Sequence, residues 1–287
     1  MYTRRYGLIR TLAPLHVGAS EGEDAGNLNL IFRDPFTQTG IIPGSSIRGR
    51  FRADARDSDI LNEDTIDSWY GNSFGAKRPN ESGEEKAFIK EGAVKFEYAS
   101  VVWLPVFCPG QPVVWVSCPM LLKRYAACAK LDRTPPKAYT CSEQLQARKE
   151  GDTENSRTLF FNLGFMTVTP TPGLEKWIPQ SLASEINPPS LVVVSDADIG
   201  MIHDMALFRQ SRVKLEDTMK KASDGSFFNV EALPEGTILV FPVAIKQNQA
   251  TEWKPFGDPD SNDLYFGGLE SIGFGRCRVT LLATEVR

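Results

Sequence analysis

Histidine is almost missing from this chain, with two residues in 287, His16 and His203. The five cysteines, Cys108, Cys118, Cys128, Cys141 and Cys277, are odd in number and contain no C-x-x-C pair. These scarcities leave a zinc cage without ligands at the spacing such sites use. Reduced thiols, buried or idle, are the reading that remains. Long apolar runs are missing as well. No stretch approaches the roughly 18 uninterrupted apolar residues of a membrane span, and the opening MYTRRYGLIRTLAPLHVG alternates instead of forming a leader. The expectation is a cytoplasmic protein with no membrane partner.

What is present is ordinary in amount and uneven in placement. Hydrophobic residues make up 41% and charged ones 24%, as in a soluble globular chain long enough to bury a genuine core. The formal charge is −4, yet residues 1–56 hold eight basic against five acidic side chains, giving +3 there and −7 for the remainder. Four of those cations fall in GIIPGSSIRGRFRADAR, residues 40–56.

Local patterns divide the chain into interleaved strands and helices. Residues 3–12 alternate like a strand, and the Gly-, Asn-, Asp- and Pro-bearing segment from His16 to Gly40 reads as irregular loop. Ser45 or Ser46 is a natural N-cap, and Ile47, Phe51 and Ala55 recur at i, i+4, i+8, the buried stripe of a helix. Arg48, Arg52 and Arg56 share that period one position on and line a flank of the same helix. Residues 57–91 turn acidic and glycine-rich and read as a mobile excursion. GAVKFEYASVVWLPVF and QPVVWVSCP predict two strands joined at CPG, and PMLLKRYAACAKL a second helix. Residues 132–157 are polar with paired prolines, an arm rather than core. Strands are expected in TLFFNLGFMTVTP, SLVVVS, QSRVKLED, SFFNVEALPEGTILVFPVAI and GRCRVTLLATEV, with a helix over DADIGMIHDMALF. Alternation like that of half-exposed strands favours an α+β fold with a largely antiparallel sheet. One domain, 1–287, with insertions at about 57–91 and 132–190, is the simplest organisation.

Two functional readings compete for the arginine cluster. Gly44 and Gly49 have the G-x-x-x-x-G spacing of a phosphate loop, but Lys and Ser/Thr must follow, and here Arg50 and Phe51 do. Phenylalanine holds no metal, so that reading fails. A helix N-terminus with free N–H groups, followed by arginines along one flank, suits nucleic-acid backbone without base readout. A solvated face paired with carboxylates is the alternative. A second glycine-rich turn, FGGLESIGFGRCRV, favours the nucleic-acid reading. Gly267, Gly268, Gly273 and Gly275 permit close backbone approach there, and Arg276 and Arg278 follow at strand spacing.

The two turns and the segments between them resemble the RAMP superfamily, the repeat-associated proteins of CRISPR effector complexes, and in particular the backbone subunit of type III (Cmr/Csm) complexes. LHVGAS resembles the family's H-x-G start. RDPFTQTGIIPGSSIRGRFR is similar to its R-D/E-x-x-T stretch followed by IPGSS-[LI]-[KR]-G. VVWLPVFCPGQPVVWVSCPMLLKRY, FFNVEALPEGT and the terminal glycine-rich loop follow in the family's order. The resemblance implies an RRM-like (ferredoxin-like) core with insertions, binding to a guide RNA that pairs with complementary target RNA, and antiviral defence. It implies further copies or related subunits, with large and small subunits, as partners. It assigns Ser45, Ser46, Arg48, Arg50 and Arg52, with Gly268, Gly273 and Arg276, to the guide. It also implies a β-hairpin thumb, for which TLFFNLGFMTVTPTPGLEKWIPQ offers Phe165, Met166 and Trp177 as wedging side chains; each fits an ordinary core role equally well.

Active members of that family cut target RNA with an aspartate just before the R-D/E stretch. Aligning on Arg33–Asp34 puts Leu28 at that position, and leucine handles neither a proton nor a metal. The chain is therefore expected to be a guide-binding scaffold. Alternatively Asp24, or with less ease Glu23 or Glu21, supplies the acid, with magnesium as the cofactor to consider. His16 and Glu231 match polar positions near the family's cut, and His16 equally suits a role in loop structure. His203, on a helical stripe, reads as structural. A freestanding guide-processing enzyme is the third option, against which VSCPMLLKRY, similar to the helical-complex subunits, argues.

Overall fold

The computed structural model describes residues 1–18, 28–57, 61–72, 77–79, 85–87, 89–149, 156–162, 164–186, 190–215, 222–247, 253–257 and 260–284. Its strands are β1 (Tyr2–Thr11), β2 (Leu28–Asn29), β3 (Ile41–Ile42), β4 (Lys77–Pro79), β5 (Glu85–Ala87), β6 (Val94–Phe96), β7 (Ala99–Cys108), β8 (Gln111–Ser117) and β9 (Thr140–Cys141). They continue with β10 (Arg148–Lys149), β11 (Arg157–Phe161), β12 (Gly164–Pro170), β13 (Leu191–Val193), β14 (Phe208–Leu215), β15 (Ala222–Ala232), β16 (Ile238–Lys246), β17 (Ser261–Tyr265) and β18 (Arg276–Ala283). The helices are α1 (Gly44–Asp57), α2 (Glu63–Tyr70), α3 (Pro119–Ala129) and α4 (Ile199–Ala206).

One large sheet runs β10-β11-β12-β9-β13-β8-β7-β16-β1-β18-β17, with β3 and β6 attached at β7 and β16. At its centre β18, β1, β16 and β7 pair antiparallel, while β12–β9 and β13–β8 are parallel. The mixed α+β, sheet-dominated character is as expected, but the reason differs from the one read in the sequence. Most of the central sheet is not half-exposed: β7, β1 from Gly7 on and β16 up to Phe241 are buried on both faces, whereas β18 does alternate.

Alternate residues of these strands feed two cores. Ile9, Leu239, Phe241, Val243 and Ile245 face α1 and α2, whose Ile47, Phe51, Ala55, Ile66, Trp69 and Tyr70 complete that cluster. Leu8, Val102, Trp103, Ile238 and Val240 face α3 and the short 3-10 turns at 174–182, which add Leu122, Tyr125, Leu174, Trp177 and Leu182. Phe51 anchors the first core, its ring 5.2 Å from Phe96, 5.3 Å from Phe256, 6.1 Å from Trp253 and 6.3 Å from Phe241. Removing such a ring costs about 3–5 kcal/mol.

Two expected excursions belong partly to this body. The 57–91 segment contains α2, capped by Asn62, whose side chain accepts from the Thr65 N–H, and its Ile66, Trp69 and Tyr70 are core residues. Its acidic residues masked that stripe. Of the 132–157 arm, Cys141 and Leu145 are buried in the first core. All five cysteines are unpaired thiols, and burial pushes Cys118 and Cys141 up to about 12 and Cys128 up to about 11. Among the described residues no helix is long and apolar enough to cross a membrane.

Candidate nucleic-acid interface

The start of α1 is set by its neighbours. β3 pairs with Ala99 and Ser100 of β7 and delivers the chain to Gly44, where a Cβ would stand 2.4 Å from the Phe96 carbonyl oxygen. Only glycine permits that approach. The Pro43 carbonyl accepts from the N–H groups of Ser46 and Ile47 at 3.0 and 3.1 Å. Ser45 and Ser46 therefore lie inside the first turn, not at the cap where the sequence put one of them. Ser45, Arg48 and Gly49 are exposed. Ser45 and Arg48 border a cleft of about 520 Å³ that Asn72, Lys90, Glu91 and Lys95 also line, with Lys95 paired to Glu91. Anions favour such a helix start, with its free N–H groups and adjacent cations.

The arginine flank divides at this point. Arg52 Nη2 donates to Asp67 of α2 at 2.8 Å, and Arg56 Nε lies 3.2 Å from Glu63. Arg50 stands 3.8 Å from both Asp54 and Asp57. The three side chains are spent on the protein's own carboxylates, most tightly at Arg52, and Arg48 is the one left open to solvent. The sequence reading missed this because it had not seen α2 as a helix facing α1.

The glycine-rich turn likewise serves the chain itself. A Cβ at Gly267 would sit 2.0 Å from the His16 carbonyl oxygen, and one at Gly275 would sit 2.4 Å from that of Phe266. Gly268 N–H donates to His16 O at 3.0 Å, and Gly275 N–H to Pro14 O at 2.9 Å. Gly268 and Gly273 have open space where a side chain would be. Arg276 and Arg278 share one carboxylate, Asp263 of β17, whose pKa the Arg278 hydrogen bond lowers most.

Beside this turn lies a polar network centred on the buried Glu231. Glu231 Oε2 accepts from Arg33 Nη2 at 3.0 Å, and its Oε1 from Arg209 Nε and Nη2 at 3.3 and 3.2 Å. Arg33 also bonds Asp204, and Arg209 Nη1 donates to the Asp204 carbonyl at 2.7 Å. Asp34 closes the adjoining turn by accepting from the N–H groups of Phe36 and Thr37 at 3.0 and 2.8 Å. The R-D-x-x-T stretch is thus a locked turn whose arginine reaches β15. Glu231, read as a remnant of a cutting site, has both oxygens committed to arginines. Arg209 and Asp204 went unnoticed in the sequence, since nothing local marks them.

His16 Nδ1 lies 2.6 Å from the Glu231 carbonyl, so this nitrogen carries a proton, and in the neutral ring Nε2 is the acceptor. Nε2 faces Gly18, 3.1 Å from where a Cβ there would stand. His203 is fully buried, and its Nε2 accepts from the Gly40 N–H at 2.9 Å, a structural role. Asp24 lies outside the described residues. The backbone at Leu28 pairs with Asn229, two residues before Glu231, so that position sits by the same network. Among the described residues no three His, Cys, Asp or Glu side chains are grouped to hold an ion.

The hairpin candidate forms as β11–β12, where Phe160 and Phe165 are cross-strand partners at 43% and 73% exposure. Met166 is partly buried against the first core. Trp177 is a correction: it lies on a 3-10 turn in the second core, 5% exposed, and its carbonyl accepts from Trp103 Nε1 at 3.0 Å. A side chain so enclosed cannot wedge a base stack.

This arrangement of one wide sheet between helical layers is a Cas7-like fold. It is similar to the crystal structure of oligomeric Cmr4 from Pyrococcus furiosus, at 17% identity and a TM-score of 0.69, covering 99% of this chain and 100% of that one. A second crystal structure, of Pyrococcus furiosus Cmr4 (Cas7), matches at 18% identity and a TM-score of 0.63 over 97% and 99% of the two chains. A chain of the Type III-B Cmr-beta complex bound to cognate target RNA matches at 18% identity and a TM-score of 0.68, covering 97% and 96%. No curated protein sequence matches. The RAMP superfamily profile matches residues 8–278, and the chain belongs to that superfamily.

Proposed function

We propose that this protein is a guide-RNA-binding backbone subunit of a type III CRISPR effector complex, a cytoplasmic scaffold on which guide and target RNA pair. The observation that carries the proposal is the α1 start. There a glycine-enforced turn, the exposed Ser45 and Arg48, and a cleft carrying Lys90 and Lys95 occupy the stretch most similar to the family's IPGSS signature. Further support comes from the strand order β18-β1-β16-β7, all antiparallel, with α1 crossing between β1 and β7. That is the order of an RRM-like core, in which the segment carrying Trp253 and Phe256 packs against Phe51. Other copies of the chain, related RAMP subunits, and large and small subunits are its partners in this reading. The β11–β12 hairpin is the thumb, with Phe165 at its tip and Phe160 beneath.

In the same reading the steps held by this subunit do not cut target RNA, because Leu28 stands where the family's acid is expected. His16 Nε2, an acceptor beside Gly18, is the group that favours the alternative in which Asp24 completes a site. Co-purification from its own cells tests the core of the proposal. The expected outcome is a complex containing RAMP partners and RNA of one discrete size class. A chain recovered alone and free of RNA would overturn it.

A further inference from the structure

On the α3 side of the sheet the ends of β1, β16 and β6 are not covered by core side chains. Arg4 of β1 pairs across to Ala244 of β16, and Ala244 to Lys95 of β6, so the three share one face. The small alanine between two long cations, with Pro242 beside it, leaves a floor that α3 approaches with Ala127 and Cys128. The result is a cavity of about 330 Å³. That volume lies at the small end of the range for ligand pockets. Five cations border it, Arg4, Arg5, Lys95, Arg124 and Lys130, against the single carboxylate Glu97.

Charge accounting narrows what belongs there. Arg5 pairs with Asp260 at 3.3 Å, Lys95 with Glu91, and Arg124 stands 3.8 Å from Glu97. Arg4 and Lys130 have no carboxylate partner among the described residues, so within that set two positive charges are uncompensated. Arg124 is held ready for a ligand. Its guanidinium stacks 3.9 Å from the Tyr98 ring centroid, while Nε donates to Ser100 Oγ at 2.9 Å and Nη2 to Tyr98 O at 3.2 Å. Nη1 has no partner among the described residues and faces an incoming acceptor in this reading. A planar guanidinium fixed in this way suits tetrahedral oxyanions.

We propose that this cavity is a phosphate-binding site, separate from the α1 start although Lys95 borders both, taking one phosphate dianion or two consecutive phosphodiesters. The two uncompensated charges match either form. The source is a free nucleotide or an RNA backbone.

Cys128 supplies a reporter. It lines the cavity and is half-buried, whereas the other four cysteines are buried, so slow alkylation of the folded protein reads occupancy at this place. Inorganic phosphate, uridine monophosphate and a short oligouridylate are each added during labelling with iodoacetamide. At a ligand concentration about ten times its Kd, labelling should slow about tenfold. The protection should vanish in the Arg4→Ser/Lys130→Ser protein, whose two changed side chains are exposed and have no carboxylate partner among the described residues. Protection by the oligonucleotide but not by the monophosphate identifies RNA as the source, and the converse identifies a free nucleotide; both support the site. Failure of all three probes, protection only by an acidic peptide such as oligoglutamate, or protection that persists in the double variant overturns it. Arg48→Ala should leave phosphate protection intact, so a failed α1 proposal and a failed proposal here are distinguishable; protection lost in that variant would also overturn it.

Discussion

Arg33 and Glu231 stand 198 residues apart in the chain and 3.0 Å apart in space, joining the R-D-x-x-T turn to the strand that carries the Glu-x-Leu-Pro segment. Glu231 is 4% exposed and satisfied only because Arg33 and Arg209 converge on it. A carboxylate held in this way is costly to orphan and equally costly to remove from its partners.

Glu231→Ala should therefore lower unfolding free energy by about 2–4 kcal/mol, as two guanidinium groups lose their shared acceptor. Arg209 is half-exposed, so Arg209→Ala should cost about 1 kcal/mol or less. Urea unfolding of both proteins measures the difference, and equal losses would contradict this assignment of the network.

Arg48 and Arg52 should separate binding from stability. Arg52→Ala breaks a half-buried pair with Asp67 and should cost about 1–2 kcal/mol, loosening α2. Arg48→Ala should leave stability unchanged while weakening RNA binding without base preference. Its plot of log affinity against log salt should flatten by about one unit. Filter binding at several salt concentrations checks this, and an unaltered slope would remove Arg48 from the interface.

Gly267 and Gly268 offer a paired test of the His16 loop. At Gly267 φ is +76° and a Cβ would meet His16 O at 2.0 Å, so Gly267→Ala should destabilise by about 3 kcal/mol or more. At Gly268 nothing lies within 4 Å, and alanine should be tolerated within about 0.5–1 kcal/mol. Thermal unfolding of the two variants distinguishes them.

His203 sets an acid limb. Burial, then the Arg33 charge, lowers its pKa from 6.5 to about 4. The unfolded chain binds the extra proton first, so this contribution is full above pH 6.5 and is lost as pH falls toward 4. The loss amounts to roughly 3 kcal/mol across that window. His203→Gln, which keeps an acceptor for Gly40 N–H, should flatten the stability profile between pH 6.5 and 4. A profile identical to the parent's would assign the limb to another group.

In an assembled complex, the steps occupied by this subunit should cut complementary RNA at rates orders of magnitude below those of a subunit bearing the family's acid. Leu28→Asp should raise cleavage there, followed by sizing of labelled target. If the parent protein already cuts, Asp24→Ala should abolish it without loss of guide binding; robust cutting that survives Asp24→Ala would place the acid in another residue or subunit.

Much of this protein was legible from short-range pattern. The stripe Ile47, Phe51, Ala55 required a helix, because the 3.6-residue period is a property of the backbone and needs no distant partner. The β7–β8 and β11–β12 hairpins followed from apolar runs flanking turn residues. What the tertiary structure decided was which polar groups are already spoken for. The arginines at 48, 52 and 56 look alike in sequence, yet Asp67 and Glu63 of α2 claim two of them. The apolar Trp177 fits a wedge or a core equally well until the 3-10 turn carries it against Trp103. Gly267 looks like a ligand contact until the His16 carbonyl arrives beside it. Ion pairs and close backbone approaches join residues that only the completed fold brings within a few ångströms, and no local period records them.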